Sequence, residues 1–192
     1  MKVAVYLGSR PGNSPEFVNN AREMGKCLAL RGLEVVYGGA SVGTMGALAQ
    51  GVLESGGRLT GVFPKGFRGR KENAHRGIDV RNHATQAGYR LLETPDFDSR
   101  IRTMERLSDA CIILPGSTGT MHEFFSFYEG NVLGEPRKPI GILNVGGYYD
   151  PLVEFIHSMV DHGFTGPEDL DGVIVSPSPS KLADRIAEAL GV

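Results

Sequence analysis

Residues 110–123, which read ACIILPGSTGTMHE, join a short apolar run to a glycine-rich turn and then to the start of a helical segment. The run at 110–114 has the length and the apolar character of a strand that is buried on both faces. Such strands belong to parallel sheets whose two faces are covered by helices. This stretch therefore predicts one strand–turn–helix unit of an α/β protein.

Apolar runs typical of strands alternate with helical segments over the rest of the chain. Apolar residues at helical spacing begin at Phe17, and Gly32 stands where that helix is expected to end. Further helical segments are predicted at 42–55, 152–160 and 182–190, and strands at 3–7, 34–37, 59–63, 110–114, 140–143 and 173–175. The pattern predicts a doubly wound, Rossmann-like, mostly parallel sheet with right-handed crossovers. The length of 192 residues fits one domain, spanning 1–192.

One segment departs from this alternation. The segment 64–95 is long, polar and basic at its start. Its apolar residues follow neither the helical nor the strand period clearly. A loop of this length inside a compact domain is usually functional or mobile. We therefore expect a functional loop here, with a solvated surface loop as the alternative.

Composition and charge exclude several classes of protein. The net charge of −2 argues against a surface that coats nucleic acid, which normally carries a basic excess. No apolar stretch approaches the roughly 18–20 residues of a membrane span, and the first residues lack the pattern of a signal peptide. Cys27 and Cys111 lack metal-ligand spacing and are expected to be buried thiols. We expect a cytoplasmic protein without a metal site.

Glycine-rich turns follow three of the predicted strands, at residues 8–12, 38–43 and 115–120. In an open α/β sheet, ligands bind outside the carboxyl ends of the strands, where helix N-termini point. Glycine lets backbone N–H groups approach an anion closely there. The three turns together indicate a phosphorylated ligand. The dinucleotide pattern G-x-G-x-x-G and the P-loop pattern are both missing from them.

The third turn continues into Thr120 and Glu123, whose spacing has two interpretations. The pair matches a capping box, in which Thr120 would cap the helix and Glu123 would bond back to it. Alternatively, Glu123 is a catalytic carboxylate one turn inside a helix that faces a phosphate pocket. We favour the second interpretation because of this location. His122, between them in sequence, is expected to be a surface residue rather than a metal ligand.

Several motifs, in order along nearly the whole chain, resemble those of the LOG ("lonely guy") family. LPGSTGTMHE at 114–123 resembles the family signature P-G-G-x-G-T-x-x-E, and YGGASVGTMG at 37–46 is similar to Y-G-G-G-S-x-G-L-M-G. Agreement extends to Gly8 and Ser9 in the first turn and to residues 72–77 and 144–150.

The resemblance implies a hydrolase that cleaves the N-glycosidic bond of a nucleoside 5′-monophosphate. The products are the free base and ribose 5-phosphate, and the substrate is a cytokinin riboside monophosphate or an AMP-like nucleotide. It further implies a homodimer without metal or cofactor, in which Arg100 and Glu123 are catalytic. The substrate and its phosphate are then expected to contact Gly8, Ser9, Gly39, Ser41, Gly43, Glu72, Gly116, Ser117, Thr118, Gly119 and Thr120. Without the resemblance, Arg100 reads as a surface residue of a charged helix.

The chain departs from the family pattern at several positions. Ile101 follows the arginine where the family usually has lysine, and Ser117 replaces the second signature glycine. The usual Thr-Trp pair is Glu129-Gly130, which predicts a different wall of the base pocket. The stretch between Gly77 and Arg100 is about ten residues longer than usual. We expect residues 77–98 to form a mobile, substrate-specific cover over the base, with 85–88 at its middle.

Two alternatives to the enzyme remain. A carrier or sensor of a nucleotide-derived ligand, similar to the molybdenum-cofactor carriers, is favoured by Ser117 and Ile101. The presence of both Arg100 and Glu123 favours the hydrolase. A module that binds single-stranded DNA is disfavoured by the acidic net charge.

Overall fold

The computed structural model describes residues 1–65, 86–134 and 137–192. Within these ranges, seven parallel strands form a single sheet. The strands are β1 Lys2–Tyr6, β2 Glu34–Tyr37, β3 Leu59–Pro64, β4 Tyr89–Thr94, β5 Ala110–Ile113, β6 Ile140–Leu143 and β7 Val173–Ser176. Their order across the sheet is β4-β3-β2-β1-β5-β6-β7. β1 pairs with β2 on one side and with β5 on the other. The strands from β2 to β4 are therefore added on one side of β1, and those from β5 to β7 on its other side. The predicted doubly wound α/β class is confirmed.

Helices cover both faces of the sheet. They are α1 Pro15–Leu30, α2 Gly43–Glu54, α3 Phe97–Leu107, α4 Thr118–Leu133, α5 Asp150–Asp161 and α6 Pro179–Ala189, with short 3-10 helices at Val145–Gly147 and Pro167–Leu170. Side chains alternate along each strand, so β1 sends Val3 and Val5 to one face and Ala4 and Tyr6 to the other. The first face packs against α1, α2 and α6, and the second against α3, α4 and α5.

The ends of α1 follow from its flanking residues. Ser14 caps its start by accepting a hydrogen bond from the Glu16 N–H, and the helix begins at proline. After Leu30 the chain turns through Gly32, whose φ of +69° is accessible to glycine at little cost. The Gly32 N–H donates to the Ala29 carbonyl and the Leu33 N–H to the Leu28 carbonyl, as expected for a glycine-terminated helix. The predicted end of this helix is confirmed.

Strand β4 was not predicted, and its position explains why. Among the described strands it forms the edge of the sheet and pairs with β3 alone, from Leu59 opposite Tyr89 to Pro64 opposite Thr94. An edge strand is half exposed, so its sequence YRLLET lacks the continuous apolar run of a central strand. The prediction of a loop over 64–95 is therefore wrong for residues 89–94. Residues 66–85 of that segment lie outside the described residues.

The core is apolar on both faces. Cys27 and Cys111 are buried free thiols, as expected. None of the helices in the described part of the chain is long and apolar enough to cross a membrane.

Helices α1 and α2 approach closely because two glycines lie between them. A Cβ atom on Gly25 would collide with the Leu48 carbonyl oxygen, and one on Gly51 would collide with the Arg22 carbonyl oxygen. We expect Gly51→Ala to lower the free energy of unfolding by roughly 1–3 kcal/mol, because the backbones must separate. The control is Gly130→Ala within α4, where a Cβ meets no atom within 4 Å. That variant should gain roughly 0.5–1 kcal/mol from helix propensity. Urea unfolding measures both, and equal effects would contradict the packing argument.

Candidate active site

The three glycine turns meet at the carboxyl ends of β1, β2 and β5, where the order of the sheet reverses. The Gly8 N–H donates to the Pro115 carbonyl at 3.3 Å, which joins the first turn to the third. The Thr44 hydroxyl donates to the Gly8 carbonyl at 2.6 Å, which joins the second turn to the first. The predicted convergence of the three turns is therefore present, at the place where α/β sheets bind ligands.

Glycine is required where these turns touch. Gly43 has a φ of +57°, and a Cβ there would collide with the Ser9 carbonyl group. A Cβ on Gly116 would collide with the Thr120 side chain and would lie 3.0 Å from the Gly8 nitrogen. The glycines thus allow three backbones to pack against one another.

Two tyrosines fix the strand end that precedes the third turn. The Tyr148 hydroxyl donates to the Gly116 carbonyl at 2.5 Å, and the Tyr149 hydroxyl donates to the Leu114 carbonyl at 2.6 Å. Burial raises the pKa of Tyr149 well above its usual range, so this hydroxyl keeps its proton. These bonds hold the backbone of the third turn in one position relative to the sheet.

The helices that start at the second and third turns have no side-chain cap. Helix α2 starts after Val42, which has no acceptor, and α4 starts after Ser117, whose side chain makes no capping hydrogen bond. The first N–H groups of a helix have no partner within the helix and carry the positive end of its dipole. Both helix starts can therefore donate to an anion.

The capping-box interpretation of Thr120 and Glu123 is wrong. Ser117 occupies the N-cap position, so Thr120 lies inside the helix and is buried. Glu123 is one turn further on, and its carboxylate bonds to a side chain of another helix rather than back to the start of α4.

Arg100 and Glu123 form a buried ion pair between α3 and α4. Arg100 Nη1 donates to Glu123 Oε1 at 2.5 Å, and the two residues are only 7% and 4% exposed. Arg100 Nε also donates to the Val62 carbonyl at 3.1 Å, at the end of β3. The guanidinium is thus fixed by the sheet and in turn holds the carboxylate. The interpretation of Arg100 as a surface residue is wrong, because the buried face of α3 carries Arg100, Ile101 and Met104.

Burial raises the pKa of Glu123 above its usual range, and the charge and hydrogen bond of Arg100 partly offset that effect. The Glu123 carboxylate, paired with the Arg100 guanidinium, thus lies in an environment with little water. In such a place a negative charge stabilises a developing positive charge more strongly than it would in solvent.

The ion pair lies in the wall of a cavity of about 340 Å³. One side of this cavity is formed by the turns, through Gly8, Ser9 and Gly38, and another by the start of α4. Its apolar wall consists of Leu7, Ala40, Met45, Phe63, Phe97 and Ile101. A second cavity of about 800 Å³ adjoins it, shares Gly8, Ser9 and Ser117 with it, and extends along Gly43, Gly116 and Tyr148.

Most of the predicted site residues are brought together. Those that line the two cavities are Arg100, Glu123, Gly8, Ser9, Gly43, Gly116, Ser117, Gly119 and Thr120. Thr118 is exposed at the first position of α4, and Gly39 packs against Phe63. The Ser41 hydroxyl is buried and has no hydrogen-bond partner among the described residues. Glu72 lies outside the described residues.

Two predictions about the base pocket are not supported by the positions of the residues. Residues 86–88 were expected in the middle of a cover over the base. They precede β4, and the Gly88 carbonyl accepts from the Leu59 N–H at the start of β3. This is the amino edge of the sheet, opposite the turns, so these residues cannot cover the site. Glu129 and Gly130 are exposed on α4 and line neither cavity, so they do not form the altered wall in this chain.

Sequence reasoning missed part of the lining. Met45, Phe63, Phe97 and His122 face the cavity that contains the ion pair. Phe63 lies at the end of β3 and Met45 in the first turn of α2, so proximity to predicted strand ends was the available signal. His122 is exposed, as expected, yet it borders the same cavity as Glu123. Within the described ranges, no group of three or more His, Cys, Asp or Glu side chains is placed to hold a metal ion.

This chain is similar to known proteins in sequence and in fold. Residues 45–186 match the family model described as "Possible lysine decarboxylase". A cytokinin riboside 5′-monophosphate phosphoribohydrolase of Rhodococcoides fascians is 38% identical over 173 residues, covering 90% of this chain and 82% of that protein. The Arabidopsis thaliana protein of the same name, LOG7, is 34% identical over 187 residues, covering 97% and 81%.

Among solved structures, the molybdenum cofactor carrier protein of Chlamydomonas reinhardtii is similar, with a TM-score of 0.68. The alignment covers 100% of this chain and 98% of the carrier. At 20% sequence identity, this likeness concerns the fold alone. The family model and the sequence relatives, by contrast, match most of the length of this chain, and the chain belongs to the LOG family.

Proposed function

We propose that this protein hydrolyses the N-glycosidic bond of a nucleoside 5′-monophosphate and releases the free base and ribose 5-phosphate. The observation that carries the proposal is the buried Arg100–Glu123 pair in the wall of a cavity bordered by three glycine turns. The relatives from Rhodococcoides fascians and Arabidopsis thaliana are named for this activity on cytokinin riboside 5′-monophosphates. An AMP-like nucleotide or a cytokinin riboside monophosphate is therefore the proposed substrate.

The phosphate is assigned to the place where the two cavities meet. Gly8, Ser9 and Ser117 belong to both cavities, and the uncapped start of α4 follows directly. Backbone N–H groups and the helix dipole favour a doubly charged phosphate there. The ribose then extends toward Glu123, and the base lies against the apolar wall that includes Met45 and Ile101.

Glu123 supplies the electrostatic part of the reaction. Cleavage of the bond between C1′ and the base passes through a ribose with oxocarbenium character, as in glycoside hydrolysis. A buried carboxylate stabilises this positive charge and accepts the proton of the attacking water. Arg100 positions the carboxylate through its bonds to Glu123 and to the Val62 carbonyl. It does not deliver a proton, because the pKa of a guanidinium exceeds about 12.

A panel of nucleoside monophosphates tests the proposal, with free base measured by chromatography. Release of base and ribose 5-phosphate in equal amounts from at least one member is expected. Tight binding without release from every member would favour a carrier of a nucleotide-derived ligand instead.

The phosphate assignment makes a separate prediction. AMP should be turned over with a kcat/KM about 1000-fold higher than adenosine, because two or three charge-assisted hydrogen bonds are lost with the phosphate. Steady-state release of adenine from both substrates measures the ratio. Since the nucleoside keeps the base and the ribose, similar kcat/KM values would show that the glycine turns do not bind phosphate.

A further inference from the structure

The proposed reaction needs a proton donor that the ion pair does not provide. When the bond from C1′ to the base breaks, its electron pair moves onto the base, and a purine leaves far more easily once one of its other ring nitrogens is protonated. Arg100 holds its protons too firmly and is bonded to Glu123 and Val62. Glu123 acts as a carboxylate in this scheme, so it has no proton to give at that moment.

His122 is placed to supply that proton. It borders the same cavity as Arg100 and Glu123, and it is exposed where Glu123 is buried. Adjacent helical residues point about 100° apart, so the two side chains face the cavity from different directions. The other side chains that line it are apolar or carry hydroxyl groups, apart from the ion pair. Of the cavity-lining side chains in the described ranges, His122 alone carries an imidazole, the group that most often serves as a general acid.

We propose that His122 is the general acid that protonates the departing base, a role that rests on the proposed function. The His122 imidazolium gives its proton to a ring nitrogen of the base as the C1′–N bond breaks. Water adds its oxygen to C1′ and loses a proton to Glu123. Proton exchange with solvent then restores the imidazolium and the carboxylate, so each cycle consumes one water and releases base and ribose 5-phosphate.

The two groups must be in opposite protonation states. His122 must be protonated and Glu123 ionised, and within the described ranges the charged groups facing them in the cavity are each other and Arg100. Activity should decrease on the acid side as Glu123 is protonated, at a higher pH than for an ordinary glutamate because burial raises its pKa. His122→Gln should keep this acid decrease, because Glu123 is unchanged.

The decisive experiment compares two leaving groups. AMP needs a proton on its base, whereas the nitrophenolate of 4-nitrophenyl β-ribofuranoside 5-phosphate leaves as a stable anion. We expect His122→Gln to lower kcat for AMP about 100-fold, within the usual range for loss of a general acid, and to change kcat for the nitrophenyl substrate less than about threefold. The matched control is His157→Gln, because His157 is an exposed histidine of α5 that lines neither cavity. This variant should keep the wild-type kcat for both substrates.

Other outcomes separate the two levels of the account. Equal losses on both substrates, or no loss on AMP, would overturn the role of His122 while leaving the proposed hydrolase intact. Failure of the wild-type protein to cleave either substrate would overturn the proposed function and the role of His122 with it. Cleavage of the nitrophenyl substrate alone by the wild type would also overturn the assignment of His122 as an acid for the base.

Discussion

We expect Glu123→Gln to abolish base release, with kcat reduced by at least about 1000-fold, and to leave nucleotide affinity within about tenfold. The amide keeps the size of the side chain and an oxygen that can accept from Arg100 Nη1, which now bonds at 2.5 Å. It loses the negative charge that the oxocarbenium-like ribose requires. Single-turnover release of adenine gives the rate, and equilibrium dialysis with AMP gives the affinity.

A matched variant separates this effect from a general loss of charge on α4. Glu129 lies on the same helix but is exposed and lines neither cavity, so Glu129→Gln should keep wild-type turnover. The amide at position 123 also leaves the buried Arg100 without a counter-charge, which lowers stability. Turnover must therefore be measured below the unfolding transition. Wild-type turnover by Glu123→Gln would reduce the ion pair to a structural role.

Gly38→Ala is expected to lower kcat/KM by about 100-fold although residue 38 has no reactive group. A Cβ at this position would overlap Arg100 Nη2 and lie 3.2 Å from Met45 Cε. The guanidinium must therefore move, and Glu123 loses the partner that orients it. Displacement of a catalytic group by about 1 Å can reduce a rate by this factor. Steady-state kinetics with AMP measure the loss.

A double-mutant cycle tests whether the loss acts through Arg100. If Gly38→Ala only displaces the guanidinium, it should add little to the loss already caused by Arg100→Ala. Additive losses would mean that Gly38 acts through another contact, such as Met45. Urea unfolding of each variant provides the control for folding.

The order of elements could be predicted because each depends on local sequence. The apolar strands and the glycine turns are short patterns. Because parallel strands end at the same edge of a sheet, the convergence of the three turns could be predicted as well. The ion pair could not be predicted from spacing, since Arg100 and Glu123 are on different helices with β5 between them. Arg100 also has Arg102 and Arg106 nearby, which make its helix resemble a surface helix. The location of Glu123 at a predicted phosphate pocket indicated a catalytic role, whereas family resemblance, rather than periodicity, identified Arg100.

The failures of prediction occurred where tertiary position overrides local pattern. The half-buried residues of β4 gave no strand signal, because an edge strand needs an apolar side chain only on part of its surface. Once β4 is in the sheet, residues 86–88 are necessarily at its amino edge and cannot reach the turns. The contact of His122 with the cavity was not predicted, because local sequence does not distinguish an exposed side chain that lines a cavity from one that does not.

The central claim is that the protein breaks the N-glycosidic bond rather than only holding a nucleotide. Incubation of the purified protein with AMP, followed by quantification of AMP, adenine and ribose 5-phosphate in the same sample, tests it most directly. The account predicts many turnovers per protein molecule, with adenine and ribose 5-phosphate formed in equal amounts. Recovery of AMP and of every other member of the nucleoside monophosphate panel intact after binding, by a protein whose Arg100 and Glu123 are unchanged, would contradict it.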